Sequence, residues 1–240
     1  MSPGLSSGEE KWHHEAPRLF ITKERCFFVA KIYLIRHGES IANTKGIYQG
    51  QTYDTVLSPL GVRQADAIAD RLRYEQIKQV IASPLTRTQQ TARAIKRFHS
   101  VSIDIHRQII ETNHGEWEGK RISDIKRLWP RMYHTWTHVP IKVKFPKGET
   151  FGDLQKRVWR WWMTATPHFT GPTVIVTHDN VIRIILAGIL RIPAEGMWVF
   201  ELQPAGVTII DIIKRKTTVV VINDTGHLRG LEANLAKHAL

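Results

Sequence analysis

Short apolar runs that alternate with helical patterns constrain this chain more than any other feature. Residues 31–35 (KIYLI), 79–82 (QVIA), 101–105 (VSIDI) and 173–177 (TVIVT) read as strands. Residues 59–73, 85–98, 151–166 and 181–190 read as helices, and Ser58 stands where it would cap the first of them. A loop with Gly and Trp, 111–119, leads into a helical insertion that reaches about residue 137, and 140–150 is loop. Two β-rich runs follow, 206–213 and 217–223, and then a tail that reads as part loop, part helix. Strand–helix alternation predicts an α/β fold of three layers, α/β/α, around a mainly parallel sheet.

The 240 residues, 42% of them hydrophobic, suffice for one large domain. We expect it over 31–240, behind an N-terminal extension, 1–30, whose first 17 residues read as a polar arm and whose remainder reads as an extra strand or an adhering segment. A single cysteine, Cys26, excludes a disulfide framework and a Cys-based zinc cluster. The formal charge of +12 favours anionic ligands: phosphorylated metabolites, nucleic acid or anionic lipid. Basic residues are interspersed with acidic ones and form no basic tail, which argues against nucleic acid as the partner. The best apolar run, 181–190, is broken by Arg183 and is too short to span a membrane. The expectation is a soluble, cytoplasmic protein.

In a parallel sheet, ligands sit beyond the carboxyl ends of the strands. The first strand runs straight into Arg36 and His37. The second delivers Ser83 and leads to Arg87, the third leads to Glu111, and TVIVT delivers His178 and Asp179. Two histidines, two arginines and a carboxylate therefore converge on one edge. Arginine matches phosphate oxygens through forked hydrogen bonds. Histidine can donate to a phosphate or, while neutral, attack phosphorus. A carboxylic acid can protonate a departing alkoxide.

The run LIRHGES, followed by Asn43, resembles the signature of the histidine phosphatase superfamily, in the branch that includes the cofactor-dependent phosphoglycerate mutases. LSPLGVRQA, ASPLTRTQQTA, ETNHGEWEG, PKGETFGDLQKRV and VIVTHDNVIR resemble its further motifs in order, over about residues 31–230. The resemblance implies a phosphoglycerate mutase-like fold and chemistry through a phosphohistidine on His37. It implies that Arg36, Arg87 and His178 hold the phosphoryl oxygens, His178 also counting as catalytic. Glu111 would be the general acid and then the base, with Asn43 and the backbone near 179 as further donors. No metal and no cofactor are implied. One position departs: the second histidine is usually followed by glycine, here by Asp179. A carboxylate beside phosphate would repel it, so Asp179 is expected to point away.

Three functions compete. A mutase of this branch carries Glu-Arg-x-Tyr-Gly at the acid loop, whereas this chain has Glu111-Thr112-Asn113-His114-Gly115. That favours a phosphomonoesterase of a small metabolite over a phosphoglycerate mutase, and the full set of chemical residues disfavours a non-catalytic phospho-ligand binder. Gln49, Gly50 and His114 resemble substrate-binding positions of the family's metal-independent phosphoserine phosphatases, which makes phosphoserine the favoured substrate. The expected partner is this small molecule, with no nucleic acid or membrane. Trp159, Trp161 and Trp162 read as packing, or as a lid or homodimer contact. His134 and His138 stand four apart, as metal ligands on a helix would, but no third ligand is evident.

Overall fold

A computed structural model describes residues 29–214 and 216–238. Most of the expected extension, with Cys26, lies outside the described residues. Six strands form one sheet: β1 (Val29–Arg36), β2 (Gln79–Ala82), β3 (Ile103–Ile105), β4 (Thr173–Thr177), β5 (Val207–Ile213) and β6 (Lys216–Asp224). Their spatial order is β3-β2-β4-β1-β5-β6. The pairs β3–β2, β2–β4 and β4–β1 are parallel, and β5 runs antiparallel to both β1 and β6. The mainly parallel sheet is therefore real, with an antiparallel hairpin at one side.

The strand residues alternate between two cores, as a pleated sheet requires. Ile32, Leu34, Ile81, Ile175 and Ile210 face a core filled by Phe145, Phe151, Trp161 and Trp162. Tyr33, Ile35, Val80, Val174 and Val176 face the other, which contains Ile68, Leu72 and Ile95. Helices α2 (Pro59–Leu72) and α3 (Thr86–Lys96) supply that second layer. Helices α6 (Phe151–Ala165) and α7 (Asp179–Leu190) supply most of the first. The short α1 (Ile41–Thr44), α4 (Ile122–Leu128) and α5 (Pro130–His138) decorate the carboxyl-end loops. No helix among the described residues is long and apolar enough to cross a membrane.

Caps fix the helix starts. Ser58 Oγ accepts from Gly61 N at 3.0 Å with Pro59 in the first turn, and Thr150 with Asp153 forms a capping box on α6. Helix α7 begins two residues earlier than the apolar pattern suggested, because polar Asp179 and Asn180 form its first turn. From β1 the chain crosses toward β2; from β4 it leaves toward β5 on the opposite side. The adjacent tips of β1 and β4 are thus a switch point, where a crevice opens.

Candidate active site

The tips of β1 and β4 are tied together by His37 N donating to Thr177 O at 3.0 Å. The turn after β1 presses against the start of α2. A Cβ at Gly38 would lie 2.5 Å from Gly61 O, so only glycine allows this approach. That contact sets where the His37 ring stands.

His37 is buried, and its Nδ1 is 2.8 Å from Gly38 O. A carbonyl only accepts, so Nδ1 carries the hydrogen and Nε2 keeps a lone pair. Arg87 Nε donates to that Nε2 at 3.2 Å. Burial first, then the charges of Arg87 and Arg36, push the His37 pKa well below the usual imidazole range. His178 lies beside it, ring centroids 5.2 Å apart, with Nε2 2.7 Å from Ser83 Oγ. Burial and Arg87 push its pKa well down too. Both rings are therefore neutral at pH 7.

Arg36 donates from Nη1 to Leu202 O at 2.6 Å, and its Nε is buried without a partner, as is His178 Nδ1. An unsatisfied buried donor costs about 1–3 kcal/mol. An oxyanion in the crevice would relieve that cost. Arg87 is held by Asp54 Oδ1 at 3.0 Å and Gly50 O at 3.3 Å. Asp54 Oδ2 also accepts from Thr86 N at 2.6 Å, capping α3, whose own cap residue Leu85 has no side-chain bond to give. Nothing in the local sequence pattern marks Asp54, and its partner lies 33 residues away.

Glu111 is buried, with Oε1 accepting from Thr112 N at 2.8 Å. Burial pushes its pKa up, against the lowering effects of that hydrogen bond and of Arg87. Its Oε2 has no partner among the described residues, so it is free to meet a ligand. Asn43 accepts from Ser40 N at 3.0 Å through Oδ1, leaving its amide nitrogen for the pocket.

One pocket is lined by Arg36, His37, Asn43, Gln49, Arg87, Glu111 and His114 together with Tyr48, Trp136, Asp179 and Asn180. Tyr48, Trp136 and Asn180 were not singled out in the sequence. His178 and Gly50 are not among these walls; Gly50 accepts through its carbonyl from Arg87 Nη2 at 3.3 Å. A Cβ there would lie 2.0 Å from Glu118 Oε1.

Asp179 is one of the residues that line the pocket, and its Oδ1 pairs with Arg183 Nε at 3.0 Å. Two physical effects offset the expected repulsion: Asp179 sits at the positive N-terminal end of α7, and Arg183 one turn on takes its charge. The residue is helical, with no positive φ, so its backbone does not require glycine.

Glu118, also unmarked in the sequence, ties the first loop to the acid loop. Its carboxylate accepts from Gln51 N at 3.1 Å, Thr52 N at 2.6 Å, Tyr53 N at 3.1 Å and His114 N at 3.0 Å. Glu118→Ala should leave those donors unsatisfied and lower stability by about 1–3 kcal/mol. Urea unfolding would read that loss; an unchanged midpoint would show that water replaces the carboxylate without cost.

Comparison with known proteins follows the same geometry. A family model described as the histidine phosphatase superfamily, branch 1, matches residues 32–225. Phosphoserine phosphatase 1 of Hydrogenobacter thermophilus is 30% identical over 201 residues, 83% of this chain and 95% of that protein. Adenosylcobalamin/alpha-ribazole phosphatase of Escherichia coli is 29% identical over 195 residues, 80% of this chain and 96% of that protein. Among solved structures, Bacillus stearothermophilus YhfR superposes with a TM-score of 0.79 at 26% identity, covering 83% of this chain and 99% of that one.

Proposed function

Because this chain belongs to the histidine phosphatase superfamily, branch 1, and its relatives include phosphatases of two substrates, a phosphomonoesterase is supported, and we propose how it works and on what. His37 Nε2 attacks the phosphorus of a small phosphomonoester while its Nδ1 hydrogen stays on Gly38 O. The P–O ester bond breaks, and Glu111 delivers a proton from Oε2 to the departing oxygen. The alcohol leaves with that proton and the former ester electrons. Water then attacks the phosphohistidine, Glu111 takes its proton, and the P–N electrons return to Nε2.

Arg36, Arg87 and His178 hold the three phosphoryl oxygens, with Asn43 as a further donor. The guanidiniums already stand beside Nε2, so charge developing in the transition state meets fixed partners. The single observation that carries this reading is the tautomer of His37. Its Nδ1 is fixed on Gly38 O at 2.8 Å, so the lone pair of a neutral ring faces the Arg87 guanidinium. Phosphoserine is the favoured substrate. The support is the 30% identity to a phosphoserine phosphatase and the presence of Gln49 and His114 in the pocket walls.

The test is direct. Purified protein with a chelator present is given phosphoserine, 3-phosphoglycerate and an aryl phosphate, and free phosphate and isomerised product are measured. Phosphate release from phosphoserine at the highest kcat/KM supports the proposal. Isomerised phosphoglycerate without release would make the protein a mutase. No turnover of any ester would leave a phospho-ligand binder.

A further inference from the structure

The segment that carries Glu111 has no ladder of its own. A 3-10 turn, Arg107–Ile109, precedes it, and residues 110–114 belong to no helix or strand. Ile109, Ile110 and Glu111 are nevertheless buried, so their backbone carbonyls must find partners elsewhere. Side chains supply them. Thr177 Oγ1 donates to Ile109 O at 2.7 Å, and Gln51 Nε2 donates to Glu111 O at 2.8 Å. Arg157 reaches further than either. Its Nη1 donates to Gln108 O at 2.8 Å and to Ile110 O at 2.9 Å, and its Nη2 donates to Glu111 O at 3.4 Å.

An ion pair closes this clamp. Arg157 Nη2 stands 2.9 Å from Glu149 Oε1, and that oxygen also accepts from Asn113 N at 2.8 Å. Glu149 N donates back to Asn113 O at 3.0 Å. The chain on both sides of Glu111 is thus bound to one pair of charges. Arg157 itself stands on α6, whose Leu154, Val158 and Trp161 are buried in the core and whose start is fixed by the Thr150–Asp153 box. The segment takes its position from a packed helix. A planar guanidinium suits the task, because its separate nitrogens reach several carbonyls at once, whereas an ammonium is a single point.

We infer that Arg157, closed onto Glu149, is a positioning residue that fixes the backbone of Glu111 for proton delivery to the leaving oxygen. This rests on the phosphomonoesterase reading and deepens it. Arg157 is not among the residues that line the pocket, so it acts through Glu111 and not on the phosphate. Its removal should therefore be felt where the leaving group needs a proton, and little where it does not.

A rival account makes Arg157 a stabilising residue only, and the two accounts separate in a ratio. Arg157→Gln should lower kcat for phosphoserine by roughly 10–100-fold, the scale of a misplaced catalytic group. Turnover of an aryl phosphate, and KM for both esters, should stay within about threefold. Arg157→Lys keeps the positive charge, which also helps to lower the His178 pKa, but loses the span, and should show most of the same selective loss. In a Glu111→Gln background, Arg157→Gln should cost phosphoserine turnover no more than about a further threefold, since both changes remove one step. Thermal melting shows which variants are folded. Should Arg157→Gln fail to fold, Glu149→Gln is the milder change. It keeps an oxygen for Asn113 N, removes the charge that anchors Arg157, and should move the same ratio by about 2–5-fold, the scale of one partly exposed ion pair.

Equal losses on the two esters in a folded variant would make Arg157 structural and overturn the inference. So would unchanged turnover of phosphoserine, or a further tenfold loss in the Glu111→Gln background. The failure of the underlying reading looks different. A wild type that turns over no ester removes the phosphatase and this inference with it, whereas an active wild type whose ratio no variant moves removes the inference alone.

Discussion

His37→Ala should reduce turnover of every phosphate ester by about 10⁵–10⁶-fold, the scale seen when an enzyme loses its nucleophile. The reasoning is geometric. Nε2 carries the lone pair, which accepts from Arg87 Nε at 3.2 Å, a donor that an arriving phosphate can take over, and Nδ1 is spoken for by Gly38 O. His178 is no substitute, since its Nε2 is engaged by Ser83 Oγ at 2.7 Å and its Nδ1 is buried. Rapid acid-free quenching of wild type with labelled substrate should mark His37, and the variant should carry no label. Near-full activity in the variant, or label on another residue, would remove the mechanism. Folding of the variant is checked by thermal melting, and pH gives a second reading. The folded pKa of His37 is depressed below the unfolded value near 6.5, so below that pH the unfolded chain binds a proton the native ring refuses. Wild-type stability should be greatest above about pH 6.5 and fall as pH drops from there toward the depressed folded value. His37→Ala should flatten part of that slope, and the other histidines whose pKa burial lowers, His178 and His114 among them, should supply what remains of it.

Much of this arrangement is legible in the sequence because parallel crossovers leave it no choice. Once KIYLI, QVIA and TVIVT are strands of one parallel sheet, the residues after each must emerge at the same edge. Arg36, His37, Ser83 and His178 follow from counting, and the structure brings them together around the β1–β4 crevice. Ser58 was legible as a cap for an equally local reason. The carboxylates that hold the loops were not. Asp54 and Glu118 sit in irregular segments, where no period marks a buried face, and their partners lie 33 and 65–67 residues away. The pairing of Asp179 with Arg183, one helical turn on, is hard to see for another reason: within the apolar run 181–190 the arginine reads as an interruption. The tail was read as partly helical; it forms a single 3-10 turn over Leu235–Lys237, and His238 Nε2 lies 3.2 Å from Glu39 Oε2. A segment held by long-range contacts of this kind, with Gln64 Nε2 also donating to Leu231 O at 2.7 Å and Ala233 N to Gln203 Oε1 at 3.2 Å, leaves little trace in local propensity.

Glu111→Gln should separate substrates by their leaving groups. A proton delivered to the departing oxygen is worth about 10²–10⁴-fold, and an alkoxide such as serine's needs all of it. An aryl oxide leaves as a stable anion and needs little. The structure gives the carboxyl what the role requires. Oε1 is fixed by Thr112 N at 2.8 Å, Oε2 has no hydrogen-bond partner among the described residues, and burial pushes the pKa above the usual carboxylate value. Arg87 and Arg36 act the other way, and Asp179 reinforces the rise. A bound phosphate dianion takes up the charge of both arginines and adds its own repulsion, so protonation of Glu111 strengthens as the substrate arrives. The sign of the pH effect follows. Alkyl phosphate turnover should decline as pH rises through the raised Glu111 value, because the acid is then lost. In Glu111→Gln that alkaline decline should vanish along with the 10²–10⁴-fold of rate. The amide keeps the Thr112 hydrogen bond and the shape, so the comparison isolates the proton. The measurement is kcat against pH for phosphoserine and an aryl phosphate in both proteins. Equal losses on the two substrates, or an alkaline limb that persists in the variant, would assign the proton to another group, and Asp179, the other carboxylate in the walls, would be the residue to replace next.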